Sequence, residues 1–461
     1  MKKIYSEKIA QLFTKSLEFK NIGDLVKSEN TLKRVLKLEP NNSIALNNLG
    51  NIYSQRNDLN KAIIFYSKAV SIKKDYSNAI FNLALTSEEI GKKNDAIKLY
   101  KNAIRYDPDN LAFYHNLSRI DETIFLVKSI NLIKKILKNK DCSNFNKSSG
   151  FFILAYDQRR KRNIKKEIEY LIQAHKFFLY SNEKIHNQIS FFWIRLMPKI
   201  IKKFDFELEH TQKQIKPIFI VGLPRSGSTL IESILCSGKK IIPNGGETAI
   251  IHRTFMDVSK NFFVQKKFLI DAEKLNINEK SFVKKANDQY KLLNLTNKDN
   301  VFTDKSLENF FYIELIIKFF PNSKIIICKR NILQIIISIY QNFLPKIKWS
   351  HSIDNILEYI DNYFKIIDNF EKKYPNKMHI IELEKLIKDP INSSKDLFNF
   401  CNLEWDKKCL EFYKRDDLIS KTASNVQVRS KIFSADQKKN IAYKEFLQPY
   451  ASKYEWLKVI L

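Results

Sequence analysis

The chain has 461 residues, is 44% hydrophobic, and carries 79 Lys and Arg against 50 Asp and Glu, a formal charge of +29. That length accommodates two or three domains with full cores. The charge points to acidic or polyanionic ligands, but part of it belongs to a Lys-, Asn- and Ile-rich background, and no nucleic-acid motif accompanies it, so no nucleic-acid partner is expected. Five scattered cysteines, Cys142, Cys236, Cys328, Cys401 and Cys409, are odd in number and lack C-x-x-C spacing, which predicts reduced thiols in a cytoplasm and no zinc site. The seven histidines form no metal constellation. The N-terminal stretch MKKIYSEKIAQLF is charged throughout and reads as an amphipathic helix, not a signal peptide. No uncharged apolar run reaches the length of a membrane span.

The first 110 residues repeat. Pro40 and Pro108 are 68 positions apart, twice 34, with Lys74 midway, and Gly23, Asn57 and Gly91 mark a second position on the same period. Leu46, Leu49, Gly50, Tyr53, Ala62, Tyr66 and Ala69 form one set of small and large residues, and Ile80, Leu83, Ala84, Ala96, Tyr100 and Ala103 repeat it. This pattern resembles the tetratricopeptide repeat, with a weaker first unit over residues 9 to 40, and predicts paired helices that bury their faces only against neighbours. Helical pairs with a fading signature continue to about residue 200, so residues 1–204 are expected to be an all-α solenoid.

From Lys216 strands alternate with helices, which predicts an α/β domain with a central parallel sheet over residues 216–461. Ile218 to Val221 reads as a buried strand, GLPRSG as a loop, and Thr229 to Leu235 as a helix. Such a unit aims backbone N–H groups and a helix dipole at an anion. Gly222 and Gly227 keep the spacing of an NTPase phosphate loop, but Ser228 stands where its lysine would be and the cation is Arg225. A planar guanidinium there suits one bulky oxyanion. A second strand near Val301 delivers Asp304 and Lys305, and a third, Lys324 to Cys328, delivers Lys329 and Arg330. Asn331 then caps a helix whose first turns bring Ser338 close to its start, so that Arg330 and Ser338 can grip a second phosphate.

Together these residues resemble the sulfotransferases that use 3′-phosphoadenosine 5′-phosphosulfate (PAPS), over roughly residues 216 to 450. GLPRSGSTL matches the family's 5′-phosphosulfate loop and implies cofactor contacts from Arg225, Ser226, Gly227, Ser228, Thr229 and Leu230. KRNILQIIIS matches its 3′-phosphate site and implies Arg330 and Ser338. The fusion to repeats is similar to a bacterial group whose catalytic half resembles protein-tyrosine sulfotransferases. On that resemblance Glu247, in NGGETAII and 22 residues past Arg225, is the general base. Lys305 steadies the leaving phosphate, Arg225 shares in catalysis, and TASNVQVRSKIFSADQKKN brings Ser424 to the sulfuryl group and Lys439 to the cofactor phosphates. His252 is a rival base. The resemblance implies no metal.

Three departures bear on the acceptor. Ala249 stands two places after Glu247, where tyrosylprotein enzymes often have arginine; Leu383 replaces a tyrosine; Asn440 replaces a tryptophan. Protein tyrosine is the first acceptor reading, with the repeats recruiting the protein or peptide. A saccharide or small-metabolite hydroxyl, a phosphate-loop kinase or NTPase, and a non-catalytic scaffold stay open as alternatives.

Overall fold

The period of the repeats has a backbone cause. In the computed structural model, which describes residues 2–21, 23–208, 215–260, 274–296, 300–415 and 440–461, Gly23, Asn57 and Gly91 all take positive φ, at 83°, 63° and 86°. Each is the left-handed turn between the two helices of a pair, where glycine or asparagine is least strained. The pairs are α1 (Lys2–Asn21) with α2 (Leu25–Leu38), α3 (Ser43–Gln55) with α4 (Leu59–Ile72), and α5 (Ser77–Glu89) with α6 (Lys93–Tyr106). Asp24 and Asp58, also 34 apart, cap α2 and α4 by accepting from the N–H groups of Lys27 and Lys61. The small positions are obligatory: a Cβ on Gly50 would sit 2.5 Å from the Tyr66 ring. Ala45, Ala62, Ala69, Ala79, Ala84, Ala96 and Ala103 are fully buried between the helices.

The chain divides into two units, Met1–Cys142 and Ser143–Leu461. In the second, α7 (Asn144–Arg160) and α8 (Ile164–Ser181) form another pair, turned at Arg162 with φ 59°. Their Phe152, Ala155, Ile168, Leu171 and Ala174 belong to the same hydrophobic core as the sheet. β1 (Phe204–Glu207) pairs in parallel with β3 (Leu275–Asn278). The main sheet has four parallel strands in the order β4 (Val301–Asp304), β2 (Lys216–Gly222), β5 (Lys324–Lys329), β6 (Met378–Glu382).

The sheet is covered on both faces, and its side chains alternate accordingly. Phe219 and Val221 of β2, with Ile325 and Ile327 of β5, face the larger core. Ile218, Ile220, Ile326 and Cys328 face a second core with α9 (Ser228–Leu235). Around the sheet lie α10 (Ile250–Val258), α11 (Ile332–Tyr340), α12 (Ile353–Lys373) and α13 (Asn440–Leu447). Because β4 and β5 flank β2, the C-terminal ends of all three strands converge on the loop before α9, the position at which open parallel sheets hold ligands.

Candidate active site

Residues 223–227 connect β2 to α9, and their geometry leaves little freedom. A Cβ on Gly222 would meet Ser226 Oγ at 2.7 Å and the Cys328 carbonyl oxygen at 3.0 Å. Gly227 has φ 95° and would meet the Leu383 side chain at 2.9 Å, so Leu383 covers this glycine. Arg225 is held in the left-handed region at φ 70°, a strained state for a side chain of its size. Gly227 is the N-cap of α9, and no side chain caps the first N–H groups of that helix, the kind of terminus at which anions are held. Ser226 is fully buried, and its Oγ has no protein partner among the described residues.

The two anion motifs meet here. Arg225 Nε donates to Ser338 Oγ at 3.0 Å, and Arg330 Nη1 donates to the Arg225 carbonyl oxygen at 2.9 Å. Asn331 caps α11 through its Oδ1, which accepts from Gln334 N at 3.1 Å, while its own N–H donates to Glu384 at 2.9 Å. Burial pulls the Arg330 guanidinium down from its usual range and the Glu384 charge works against this. The loop thus gathers a helix start without a side-chain cap and two arginines, Arg225 and Arg330.

On the other side of the loop, Lys305 follows β4 directly and is 1% exposed. Its Nζ lies 3.4 Å from Glu247 Oε1 and 3.9 Å from Glu232 Oε2. Burial alone would lower the lysine, but the two carboxylates outweigh it and raise the ammonium above its ordinary value. Glu232, which sequence reasoning missed, is buried on α9; its Oε1 accepts from Thr303 Oγ1 at 2.8 Å and from Gly246 N at 2.9 Å. Burial raises its carboxyl, with Lys305 opposing. A lone acid within the apolar run STLIESIL was the one signal for it. Glu247 is by contrast 43% exposed.

The turn that presents Glu247 is fixed from below. Gly246 has φ 60°, Ala249 has φ 52°, and a Cβ on Gly245 would fall 2.0 Å from the Thr303 carbonyl oxygen. The Lys305 N–H donates to the Gly246 carbonyl at 2.8 Å. Asp304 anchors the turn: Thr248 Oγ1 donates to its Oδ2 at 2.7 Å and Tyr290 OH at 2.6 Å, and Ser306 Oγ donates to its Oδ1 at 2.7 Å. His252, the rival base, has Nδ1 2.7 Å from Tyr312 OH, and burial holds its imidazole down at about 4. Ser424 and Lys439 lie outside the described residues. Among the described residues no group of three or more His, Cys, Asp or Glu is poised for a metal, and no helix is long and apolar enough to cross a membrane.

Comparison with known proteins finds matches in both parts. The sulfotransferase family matches residues 217–407, and the tetratricopeptide repeat matches residues 43–76 and 77–110. An uncharacterised Aquifex aeolicus protein is 27% identical over 337 residues, covering 70% of this chain and 43% of its own length. The chain thus spans under half the length of the curated relatives it matches. Similar solved structures include the sulfotransferase domain of the Synechococcus PCC 7002 olefin synthase, at 18% identity and TM-score 0.34, covering 53% of this chain and 98% of that one. A Mycobacterium tuberculosis H37Rv sulfotransferase follows at 12% identity and TM-score 0.29, covering 62% and 92%.

Proposed function

Because the chain carries tetratricopeptide repeats followed by a sulfotransferase domain, we propose that it moves a sulfuryl group from PAPS to an acceptor hydroxyl, with protein tyrosine as the first acceptor class and a saccharide or small-metabolite hydroxyl as the second. The observation that carries this reading is the junction of the two anion motifs, Arg225 Nε on Ser338 Oγ at 3.0 Å and Arg330 Nη1 on the Arg225 carbonyl at 2.9 Å. A kinase or NTPase would require the lysine that Ser228 replaces.

When bound, PAPS supplies an activated sulfuryl group on a 5′-phosphate leaving group. The N–H groups at the start of α9, with Arg225, hold the phosphosulfate, while Arg330 and Ser338 hold the 3′-phosphate. Ser424 and Lys439 belong to the same proposed cofactor set. Glu247, at the exposed edge, takes the acceptor hydroxyl's proton as the new oxygen–sulfur bond forms. Lys305 stabilises the negative charge that grows on the oxygen leaving with 3′-phosphoadenosine 5′-phosphate. Its tie to buried Glu232 keeps the ammonium charged and in place. In the proposed division of labour residues 216–461 carry the chemistry and the repeats within 1–204 recruit a protein acceptor, in a reducing cytoplasm where the five buried cysteines remain thiols. α7 and α8 serve as structural support of the sheet.

Calorimetric titration tests the cofactor reading. Arg330→Ala should weaken 3′-phosphoadenosine 5′-phosphate by roughly 10- to 100-fold, the worth of a charge-assisted contact, and leave adenosine 5′-phosphate nearly unchanged. Equal losses for both ligands, or no binding to the unaltered protein, would overturn it.

A further inference from the structure

Helix α11 carries Ser338 into the anion site, and both of its ends are gripped. At its start Asn331 caps it, and Glu384 accepts the Asn331 N–H. At its far end the last carbonyls have no partner within the helix. The hairpin α7–α8 supplies donors for two of them: Arg159 Nη2 donates to the Gln341 carbonyl at 3.1 Å, and His175 Nε2 donates to that of Tyr340 at 2.9 Å. A guanidinium at this end also complements the helix dipole.

These contacts are tied together by Glu167 of α8, which is fully buried. Its Oε1 accepts from Arg159 Nε at 2.7 Å, from Gln341 Nε2 at 2.9 Å and from Tyr443 OH at 2.9 Å, and Gln341 Nε2 also donates to Tyr443 OH at 3.0 Å. Side chains from α7, α8, the end of α11 and the first turn of α13 thus meet at one oxygen. The second oxygen, Oε2, has no partner among the described residues. Burial, then the Glu167 charge, pushes the Tyr443 phenol well above its ordinary value, so it stays a donor. Packing of the hairpin against the sheet does not require a charge here, since apolar side chains of similar volume replace buried ion pairs with little loss of stability. What a carboxylate adds is a fixed direction for each of its donors.

The path from this oxygen to the anion site is short. Gln341 and Asn342 follow α11 directly, and Asn342 Nδ2 donates to the Ser338 carbonyl at 2.6 Å. Ser338, one turn before Gln341, accepts from Arg225 Nε at 3.0 Å, and Arg330 reaches the Arg225 carbonyl at 2.9 Å. A rotation of α11 by one residue, about 100°, would swing Ser338 away from Arg225. Resting on the sulfotransferase reading, we propose that Glu167 is a positioning residue of the nucleotide site: it fixes the rotation and depth of α11 and so sets Ser338 in place for the 3′-phosphate. The hairpin α7–α8 then does more than support the sheet, because it aligns one of the two phosphate grips.

The test titrates the full chain, well below the melting temperature of each variant, with 3′-phosphoadenosine 5′-phosphate and with adenosine 5′-phosphate, which lacks the 3′-phosphate. Both ligands bind only folded protein, so the ratio of their dissociation constants is insensitive to lost stability, and a purely supporting role would leave it unmoved. Glu167→Ala and Gln341→Ala should each lower the preference for the 3′-phosphorylated nucleotide by about three- to ten-fold, the worth of one hydrogen bond, while the affinity for adenosine 5′-phosphate holds. Glu167→Gln keeps an oxygen for all three donors and places its amide nitrogen where Oε2 already lacked a partner, so its preference should stay within about two-fold of the parent. Gln341 is half-buried at a helix end, so its variant decides the question should Glu167→Ala fail to fold. A preference left unchanged by Gln341→Ala, or by Glu167→Ala in a folded protein, overturns this inference and leaves the sulfotransferase reading standing. An unaltered protein that binds neither nucleotide, or does not prefer the 3′-phosphorylated one, overturns that reading and this inference with it.

Discussion

Replacing Lys305 by methionine should cost the protein stability as well as turnover, and the two losses should separate. The Nζ lies 3.9 Å from Glu232 Oε2, both residues are almost wholly buried, and at an effective dielectric near 20 that pair is worth about 4 kcal/mol of attraction. Burying the ammonium offsets part of it, but its removal strands the Glu232 charge, which for buried pairs costs about 3–5 kcal/mol. The lower end applies, because Glu232 Oε1 keeps its bonds from Thr303 and Gly246. Glu247 adds little, being 43% exposed and screened by water. A loss of about 3 kcal/mol corresponds to a melting temperature roughly 4–5 °C lower for a unit of this size. Turnover should fall on the order of 10²–10³-fold. Adding Glu232→Gln to Lys305→Met should restore most of the stability, since no stranded charge remains, and none of the turnover. A pH series supplies the sign: Glu232's raised carboxyl rises further without Lys305, so the stability defect should be large at about pH 8 and shrink as acid neutralises Glu232. Thermal melts of the single and double variants, with sulfuryl transfer to a fixed phenol, make the measurement. A single variant that melts like the parent, or a double variant that recovers nothing, refutes the argument.

A chain beginning at residue 205 loses Phe152, Ala155, Ile168, Leu171 and Ala174 from the core of the sheet and buried Glu167, which accepts from Arg159 Nε at 2.7 Å and Tyr443 OH at 2.9 Å. It should fail to fold cooperatively by circular dichroism, whereas residues 143–461 should fold and bind 3′-phosphoadenosine 5′-phosphate; cooperative melting of the shorter chain would contradict this. Acid should destabilise the protein through His175 and His351, buried with their Nδ1 atoms 3.0 Å apart. Burial holds His175 down at about 4 and His351 well below its ordinary value, so the stability they contribute is complete above the unfolded value near 6.5 and is lost as pH falls towards 4. His351→Gln should flatten the melting profile over that window, and an unchanged profile would count against the pair.

Much of the fold is legible in the residues because its causes are local. Gly23, Asn57 and Gly91 announce the repeats, since a left-handed turn every 34 residues admits few side chains. The apolar run at Ile218 to Val221 announces a strand buried on both faces, and the glycines after it announce a loop with no room for a Cβ. Arg225, Arg330 and Ser338 could be chosen from motif spacing, and the fold brings them together.

What the chain's order concealed is the set of partners that buried charges require. Lys305 is recognisable as a cation in the sequence, but its fixed position and raised ammonium depend on Glu232, 73 residues away on another element. Asp304 reads as the end of a strand, and only the fold reveals it as the anchor of two turns. Helices α7 and α8 resemble a continuation of the repeats, yet their apolar faces complete the core of the sheet. Hydrophobic period and turn chemistry act over a few residues and are written in the order of the chain. The pairing of a buried charge acts through space, so which acid meets which lysine was decided when the strands took their order in the sheet.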